Sequence, residues 1–262
     1  MYLVFDIGAT HTRLAFSKSG KNFGEIKKFK TPKRYFQGLN LIKEFAANQG
    51  KIFSAAGGIA GSIDKKKDAI YKSPNLPDWS GGKLSRDLEQ ILKTKVVIEN
   101  DTALAGLGEA VYGAGKGISI VAYVTVSTGI NGALVVDKKL VPTAQGFEVG
   151  HQIIQDGKTL EFFVGGASIL KQYKKTPEEV LKSQQGKQIV EFLATGLHNT
   201  ILHWSPEVLV LGGSQMQTIK LADINKYLTS KLNIFPRVPE MKKAALGDRS
   251  GLVGALELLK YK

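Results

Sequence analysis

The chain has 262 residues, 43% of them hydrophobic and 23% charged, enough to bury the core of one large domain or two smaller ones. It has no cysteine, which excludes disulfides and thiolate metal sites, and with only His11, His151, His198 and His203 as soft ligands no structural zinc is expected. The net charge of +13 is mostly lysine: Arg13, Arg34, Arg86, Arg237 and Arg249 are the only arginines among 36 basic residues, and the lysines fall in scattered groups, so a solvated surface is expected in preference to a nucleic-acid partner.

Tyr2 to Asp6 is an apolar run ending in an acid, Ile7 to Thr10 a turn, and His11 to Ser17 resumes period-two alternation. No apolar run approaches the roughly 18 residues of a membrane span, and Asp6 comes too early for a secretory signal, so a cytoplasmic protein with no membrane partner is expected. A second turn, Lys18 to Lys21, leads to a third strand at Phe23 to Phe29, which completes an antiparallel meander. Gly8, Thr10 and Thr12 beside Asp6 offer N–H groups, hydroxyls and close backbone approach, as an oxyanion requires; a plain hairpin turn reads equally well from these residues alone.

Lys33 to Gln49 reads as helix and Phe53 to Ile59 as a glycine-rich strand. In Ser73 to Ser80 the prolines 74 and 77 forbid an α-helix and hold Asn75 in an extended polar loop, which either presents its amide to a hydroxylated ligand or is ordinary surface. Gly81 to Leu92 is helical. Val96 to Ile98 is a strand that ends in Glu99-Asn100-Asp101 before a helix rich in Ala, Leu and Gly. An Asp at that junction is either a helix N-cap or an accessible general base.

Gly113 to Gly117 breaks the pattern and marks a domain boundary, without the spacing of a phosphate loop or a dinucleotide fingerprint. Ile118 to Val126, the polar turn Ser127 to Gly132, and Ala133 to Val136 then repeat the opening plan. Two copies of one meander, each with a Gly/Thr turn, predict an internal duplication facing a shared cleft, where each turn holds one end of a polyphosphate. Glu148 and His151 stand three apart, with Glu161 following; they serve either as sugar hydrogen-bonding groups or as partners of buried backbone. One long amphipathic helix is predicted within Thr176 to Trp204, a strand at Glu207 to Leu211 running into Gly212-Gly213, a helix at Leu221 to Leu232, and a last helix within Ala245 to Leu259.

Taken in order, DIGATHTRLA (6–15), SPNLPDW (73–79), ENDTALAGLGEAVYGAGKG (99–117), STGINGALVVDKKL (127–140), GFEVGH (146–151), LEFFVGGASI (160–169), LGGS (211–214) and GLVGAL (251–256) resemble the sugar kinases of the repressor, open reading frame and kinase family. The resemblance implies the actin-like ATPase (ribonuclease H-like) fold, with two similar α/β domains around a central cleft. These would be residues 1–112 and 113–244, with the terminal helix 245–262 packing back on the first. It implies Asp101 as catalytic base and Asn75, Asn100, Glu148, His151 and Glu161 as sugar ligands. It further implies that Asp6, Gly8, Ala9, Thr10, Thr12, Arg13, Thr128, Gly129, Asn131, Gly212 and Gly213 form the ATP site, with Mg²⁺ held through Asp6 and the nucleotide.

Two departures stand out. The family's cysteine-rich zinc loop is missing, with nine residues between His151 and Glu161, and the usual all-glycine turn is STGINGA. No helix-turn-helix segment precedes the first motif, which directs the expectation to the kinase branch. The leading expectation is transfer of the ATP γ-phosphate to the 6-hydroxyl of a hexose, most simply glucose. The alternatives are an N-acetylhexosamine kinase, a polyphosphate-dependent glucokinase, or a non-catalytic sugar-binding regulator; a homodimer is a family expectation.

Overall fold

The computed structural model describes residues 1–261; Lys262, the last residue of the expected terminal helix, lies outside the described residues. The chain forms two compact units. The first comprises Met1–Gly108, Pro142–Gly146 and the chain from Asp248 on; the second comprises Glu109–Val141 and Phe147–Gly247. Sequence reading put the boundary in the glycine-rich stretch after Tyr112, whereas the division falls inside the preceding helix.

In the first unit β1 (Tyr2–Ile7), β2 (His11–Ser17) and β3 (Lys27–Lys30) form the antiparallel meander, followed by α1 (Tyr35–Ala47) and β4 (Ser54–Ile59). A hairpin of β5 (Ser62–Ile63) and β6 (Ile70–Lys72) comes next, then α2 (Leu84–Leu92), β7 (Val96–Asn100) and α3 (Asp101–Tyr112). The sheet order is β3-β2-β1-β4-β7, with β4 parallel to β1 and to β7. Alternation along β1 explains its two packed faces. Leu3, Phe5 and Ile7 join Ile42 of α1, Leu88 of α2 and Trp79 on one side, while Val4 joins Leu104 of α3 and Leu252, Ala255 and Leu256 on the other. Sequence reading placed the third strand about four residues early, at Phe23. Phe23 and Ile26 instead pack, partly buried, against the second of these clusters. The Pro74–Pro77 segment is not wholly extended, because Pro77–Trp79 closes one 3₁₀ turn with Pro77 in its first positions.

In the second unit β8 (Ile120–Val126), β9 (Ile130–Val136) and β10 (Lys139–Leu140) form the second meander. A hairpin of β11 (Ile153–Gln155) and β12 (Lys158–Thr159) follows, then α4 (Leu160–Val164), α5 (Gly166–Tyr173), α6 (Pro177–Leu181) and α7 (Gln184–Trp204). The unit's remaining elements are β13 (Val208–Gly212), α8 (Leu221–Lys231) and β14 (Glu240–Lys243). Its sheet order, β10-β9-β8-β13-β14, is that of the first sheet with each element replaced by its counterpart. The long helix expected within Thr176 to Trp204 is α7, and the short α6 precedes it as a separate helix. Thr176 and Glu179 close a capping box on α6, and Ser183 separates it from α7. α7 buries Ile189, Leu193, Leu197 and Ile201, spaced by four, in the core of the unit.

The final helix, α9 (Ser250–Leu258), belongs to the first unit and packs on β1 and β4. It begins later than the sequence suggested, since Ala245 and Leu246 donate their N–H groups to Glu109 and Gly247–Arg249 forms a 3₁₀ turn. At Gly254 a Cβ would lie 1.8 Å from the carbonyl oxygen of Leu104, so α9 and α3 meet backbone to backbone. In an open helix Gly→Ala stabilises by roughly 0.5–1 kcal/mol. Here the overlap outweighs that gain. Gly254→Ala is expected to destabilise the fold by about 1–3 kcal/mol, seen as a lower urea midpoint; a raised midpoint would mean that the helices do not meet at Gly254.

Candidate active site

Strands β1, β4 and β7 place Asp6, Gly58 and Glu99 in one register row near their carboxyl ends. Asn100 closes β7 and caps α3: its Oδ1 accepts the Ala103 N–H at 3.0 Å, and its Nδ2 donates to the Gly61 carbonyl at 3.0 Å. Asp101, the first residue of α3, is therefore not the cap. Its Oδ1 accepts the Thr102 N–H at 2.7 Å. Burial raises the Asp101 carboxyl above the usual carboxylate range, and the hydrogen bonds from Thr102 pull the other way. A Cβ on Gly58 would come within 2.9 Å of the Asp101 Cα, so only glycine lets the helix start this close to the sheet.

Asp6 is pushed up to about 7, first by burial and then by the negative charge of Asp101, with Arg13 opposing. Arg13 is its cross-strand partner on β2. The guanidinium places Nη1 3.4 Å from Asp6 Oδ2 and Nη2 2.8 Å from Asp248 Oδ2. Hydrogen bonding to Arg13 holds the Asp248 carboxyl below its ordinary value. In the turn between β1 and β2, the Gly8 N–H donates to the His11 carbonyl at 3.0 Å, with Ala9 half-buried and Thr10 exposed. Thr12 departs from the expectation: it is 2% exposed and its hydroxyl lies 3.0 Å from that of Thr31, which removes it from the turn's open face. Asn75 is exposed on a loop anchored by buried Ser73, Leu76 and Trp79.

In the second unit the turn between β8 and β9 is held from several sides. Gly166 and Ala167 at the start of α5 donate to the carbonyls of Ser127 and Thr128 at 2.8 and 2.9 Å, and Gln215 Nε2 donates to the Ser127 carbonyl at 2.9 Å. Glu161 Oε2 accepts the Ile130 N–H at 2.8 Å. Glu161, expected as a sugar ligand, thus has one oxygen engaged by the turn's backbone. Thr128 is exposed, while Asn131 is half-buried and its Oδ1 accepts the Gly132 N–H at 2.7 Å. Glu148 and His151 are both exposed, with Oε2 and Nδ1 3.4 Å apart. Gly212 ends β13 and Gly213 turns the chain at φ +92°.

Directly after that turn opens a cavity of about 1230 Å³ walled by α6, α7, α8 and residues Ser214 to Lys220. Leu181, Val190, Ile219 and Tyr227 give it an apolar wall, and its rim mixes Lys182, Lys187, Lys220 and Lys226 with Glu178, Glu191 and Asp223, Lys182 being paired with Glu178. An apolar slot with polar groups at its rim suits a planar base. Sequence reading missed this cavity because its wall is assembled from two separate stretches of chain, 176–191 and 214–230.

The profile of the ROK family matches residues 2–262. The chain belongs to the ROK family. It is 30% identical to a glucokinase of Pyrobaculum calidifontis over 98% of this chain and 94% of that one. It is 26% identical to an N-acetyl-D-glucosamine kinase of Shigella flexneri over 97% of this chain and 98% of that one. Among solved structures, a ROK family glucokinase from Streptomyces griseus in complex with glucose and AMPPNP superimposes with TM-score 0.83 at 22% identity, covering 100% of this chain and 99% of that one. The fold is the actin-like ATPase fold of the ROK sugar kinases.

Sequence reading also missed Glu109, a fully buried carboxylate on α3 that accepts the N–H groups of Ala114, Ala245 and Leu246 at 2.9, 3.0 and 2.7 Å. A carboxylate inside an Ala/Gly-rich helical face was the available signal.

The position of Asp6 makes stability depend on pH. The unfolded chain loses this proton near pH 4, whereas the folded protein keeps it to about 7. The folded state therefore binds the extra proton across that window, and stability falls as pH rises through it, by up to about 1.4 kcal/mol per unit. Asp6→Asn removes this component. Its stability relative to the unsubstituted protein should rise between pH 4.5 and 7.5 in urea unfolding, and parallel pH profiles would show that Asp6 is not the source.

Proposed function

We propose that this ROK protein is an ATP-dependent hexose kinase that phosphorylates the 6-hydroxyl of glucose or a close relative, with Asp101 as the general base. The observation that carries the reading is the division of labour at the start of α3. Asn100 performs the capping, so the Asp101 carboxylate beside it, whose Oδ1 accepts from Thr102, is not needed as the helix cap. A raised carboxyl lies nearer the operating pH, where a base is most effective. Asp101 takes the proton of the attacking hydroxyl. The sugar oxygen bonds to the γ-phosphorus, the bond from that phosphorus to the bridging oxygen breaks, and ADP leaves with the electron pair.

Asn75, Asn100, Glu148, His151 and Glu161 are the proposed sugar ligands. Asn100 retains one N–H and Glu161 its second oxygen for that purpose. Gly8, Ala9, Thr10 and Arg13 of the first unit, and Thr128, Gly129, Asn131, Gly212 and Gly213 of the second, are the proposed donor ligands. The apolar wall of the cavity beside Gly213, wide enough for a planar base, supports ATP as donor. Among the described residues no three His, Cys, Asp or Glu side chains gather into a metal cage. A single half-buried carboxylate, Asp6, fits Mg²⁺ that arrives with nucleotide phosphates and keeps several waters. Bound there, the ion would neutralise developing phosphate charge.

An N-acetylhexosamine as acceptor is the second reading, supported by the end-to-end likeness to the Shigella kinase. Coupled ADP release with Mg-ATP across glucose, mannose, fructose, N-acetylglucosamine and N-acetylmannosamine separates the two. Turnover on one hexose, reduced by about 10²–10⁴ in Asp101→Asn, is the expected result. Turnover confined to N-acetylated sugars would move the acceptor to that class. No turnover from a folded protein, with ATP or inorganic polyphosphate, would favour a non-catalytic sugar-binding protein.

A further inference from the structure

Asp248 lies outside every ligand set assigned above, yet it makes the shorter of the two contacts that hold Arg13. The guanidinium is 2.8 Å from Asp248 and 3.4 Å from Asp6, and its buried Nε has no partner. Lys28, opposite Arg13 on the neighbouring strand, also reaches Asp248 Oδ2 at 3.3 Å. The position is fixed by chain geometry, because Asp248 lies in the 3₁₀ turn that leads into α9. Three residues on, Gly251 passes so close to Asp6 that a Cβ there would stand 3.0 Å from the carboxyl carbon. The segment that presses on Asp6 therefore also supplies the anion that draws Arg13 aside.

A guanidinium and a carboxylate left alone at this separation close into a bidentate pair, which occupies both carboxylate oxygens. We propose that Asp248 is a positioning residue that holds Arg13 off Asp6, so that the Asp6 carboxylate remains open to the hydrated divalent cation of the donor nucleotide. The inference rests on the kinase reading above. It predicts that removing the Asp248 charge lets Arg13 close on Asp6 and weakens cation binding, and that the loss requires Arg13.

The test is an EPR titration of Mn²⁺ into protein saturated with AMPPNP, which reads the cation independently of turnover. Asp248→Asn, with Asp248→Ser as a second removal, should weaken Mn²⁺ by about tenfold, the scale on which groups that orient metal ligands act. Asp248→Glu should restore most of the affinity. In an Arg13→Met background the same Asp248 substitutions should change it less than about twofold, since the coupling of residues in one network disappears with the shared partner. Unchanged Mn²⁺ affinity in folded Asp248→Asn and Asp248→Ser, or an equal loss without Arg13, would overturn the proposal while leaving the kinase reading intact. If the unsubstituted protein binds no Mn²⁺-AMPPNP, both fail together.

Discussion

Two half-buried carboxylates, Asp6 and Asp101, near the carboxyl ends of parallel strands, are the constraint on which the first unit depends. Like charges in a desolvated place repel, and each is held there only because the backbone fixes it. The sheet aligns Asp6 with Gly58, Gly58 admits the start of α3, and Gly251 brings α9 down on Asp6. One guanidinium, itself shared with Asp248, partly offsets the charge. Placing two ionisable groups this close in a poorly solvated position costs stability that the surrounding packing must supply.

The two sheets share one strand order, and the shared topology shows what each copy adds to the common plan. In the first unit the turn after β1 is locked by Thr31, whose hydroxyl donates to the Gly8 carbonyl at 2.7 Å and whose N–H donates to the Thr10 carbonyl at 3.0 Å. In the second the corresponding turn is held by Glu161, Gln215 and the first residues of α5. The plan gives each turn an exposed threonine, Thr10 or Thr128, over a fixed backbone. The locks come from different parts of the chain.

Much of the fold was legible because its signals are local. Alternation in Tyr2 to Ser17 and Ile118 to Val136 specifies paired strands, and Glu99-Asn100-Asp101 marks a strand-to-helix junction. What escaped notice depends on distant partners. β14 is a short edge strand with two lysines, a sequence that reads as loop until β13 lies beside it. The burial of Thr12 follows from Thr31 across the meander, and the tie between Glu161 and Ile130 joins residues far apart in sequence. The choice between Asn100 and Asp101 as cap was open to sequence because both residue types serve; one helical turn, with the amide bonded to Ala103 and Gly61, decides it.

The segment between His151 and Glu161 carries this reasoning one step further. Where the family places a cysteine-rich loop, this chain has a hairpin, and the job of orienting its flanks passes to hydrogen bonds. The Leu160 N–H donates to the Gln152 carbonyl at 2.9 Å, and the Thr159 hydroxyl accepts the Phe162 N–H at 3.2 Å, which caps α4 and sets Glu161 in its first turn. Gln152 itself bonds through Nε2 to the carbonyls of Val149 and Gly196 and through Oε1 to Asn199, so the segment is pinned to α7. Glu161 is consequently fixed on the helix side, while His151, 63% exposed, is held by its backbone and by its contact with Glu148. Of the two residues that flank the replaced loop, the carboxylate is therefore the fixed one, and the imidazole is left exposed on the solvent side.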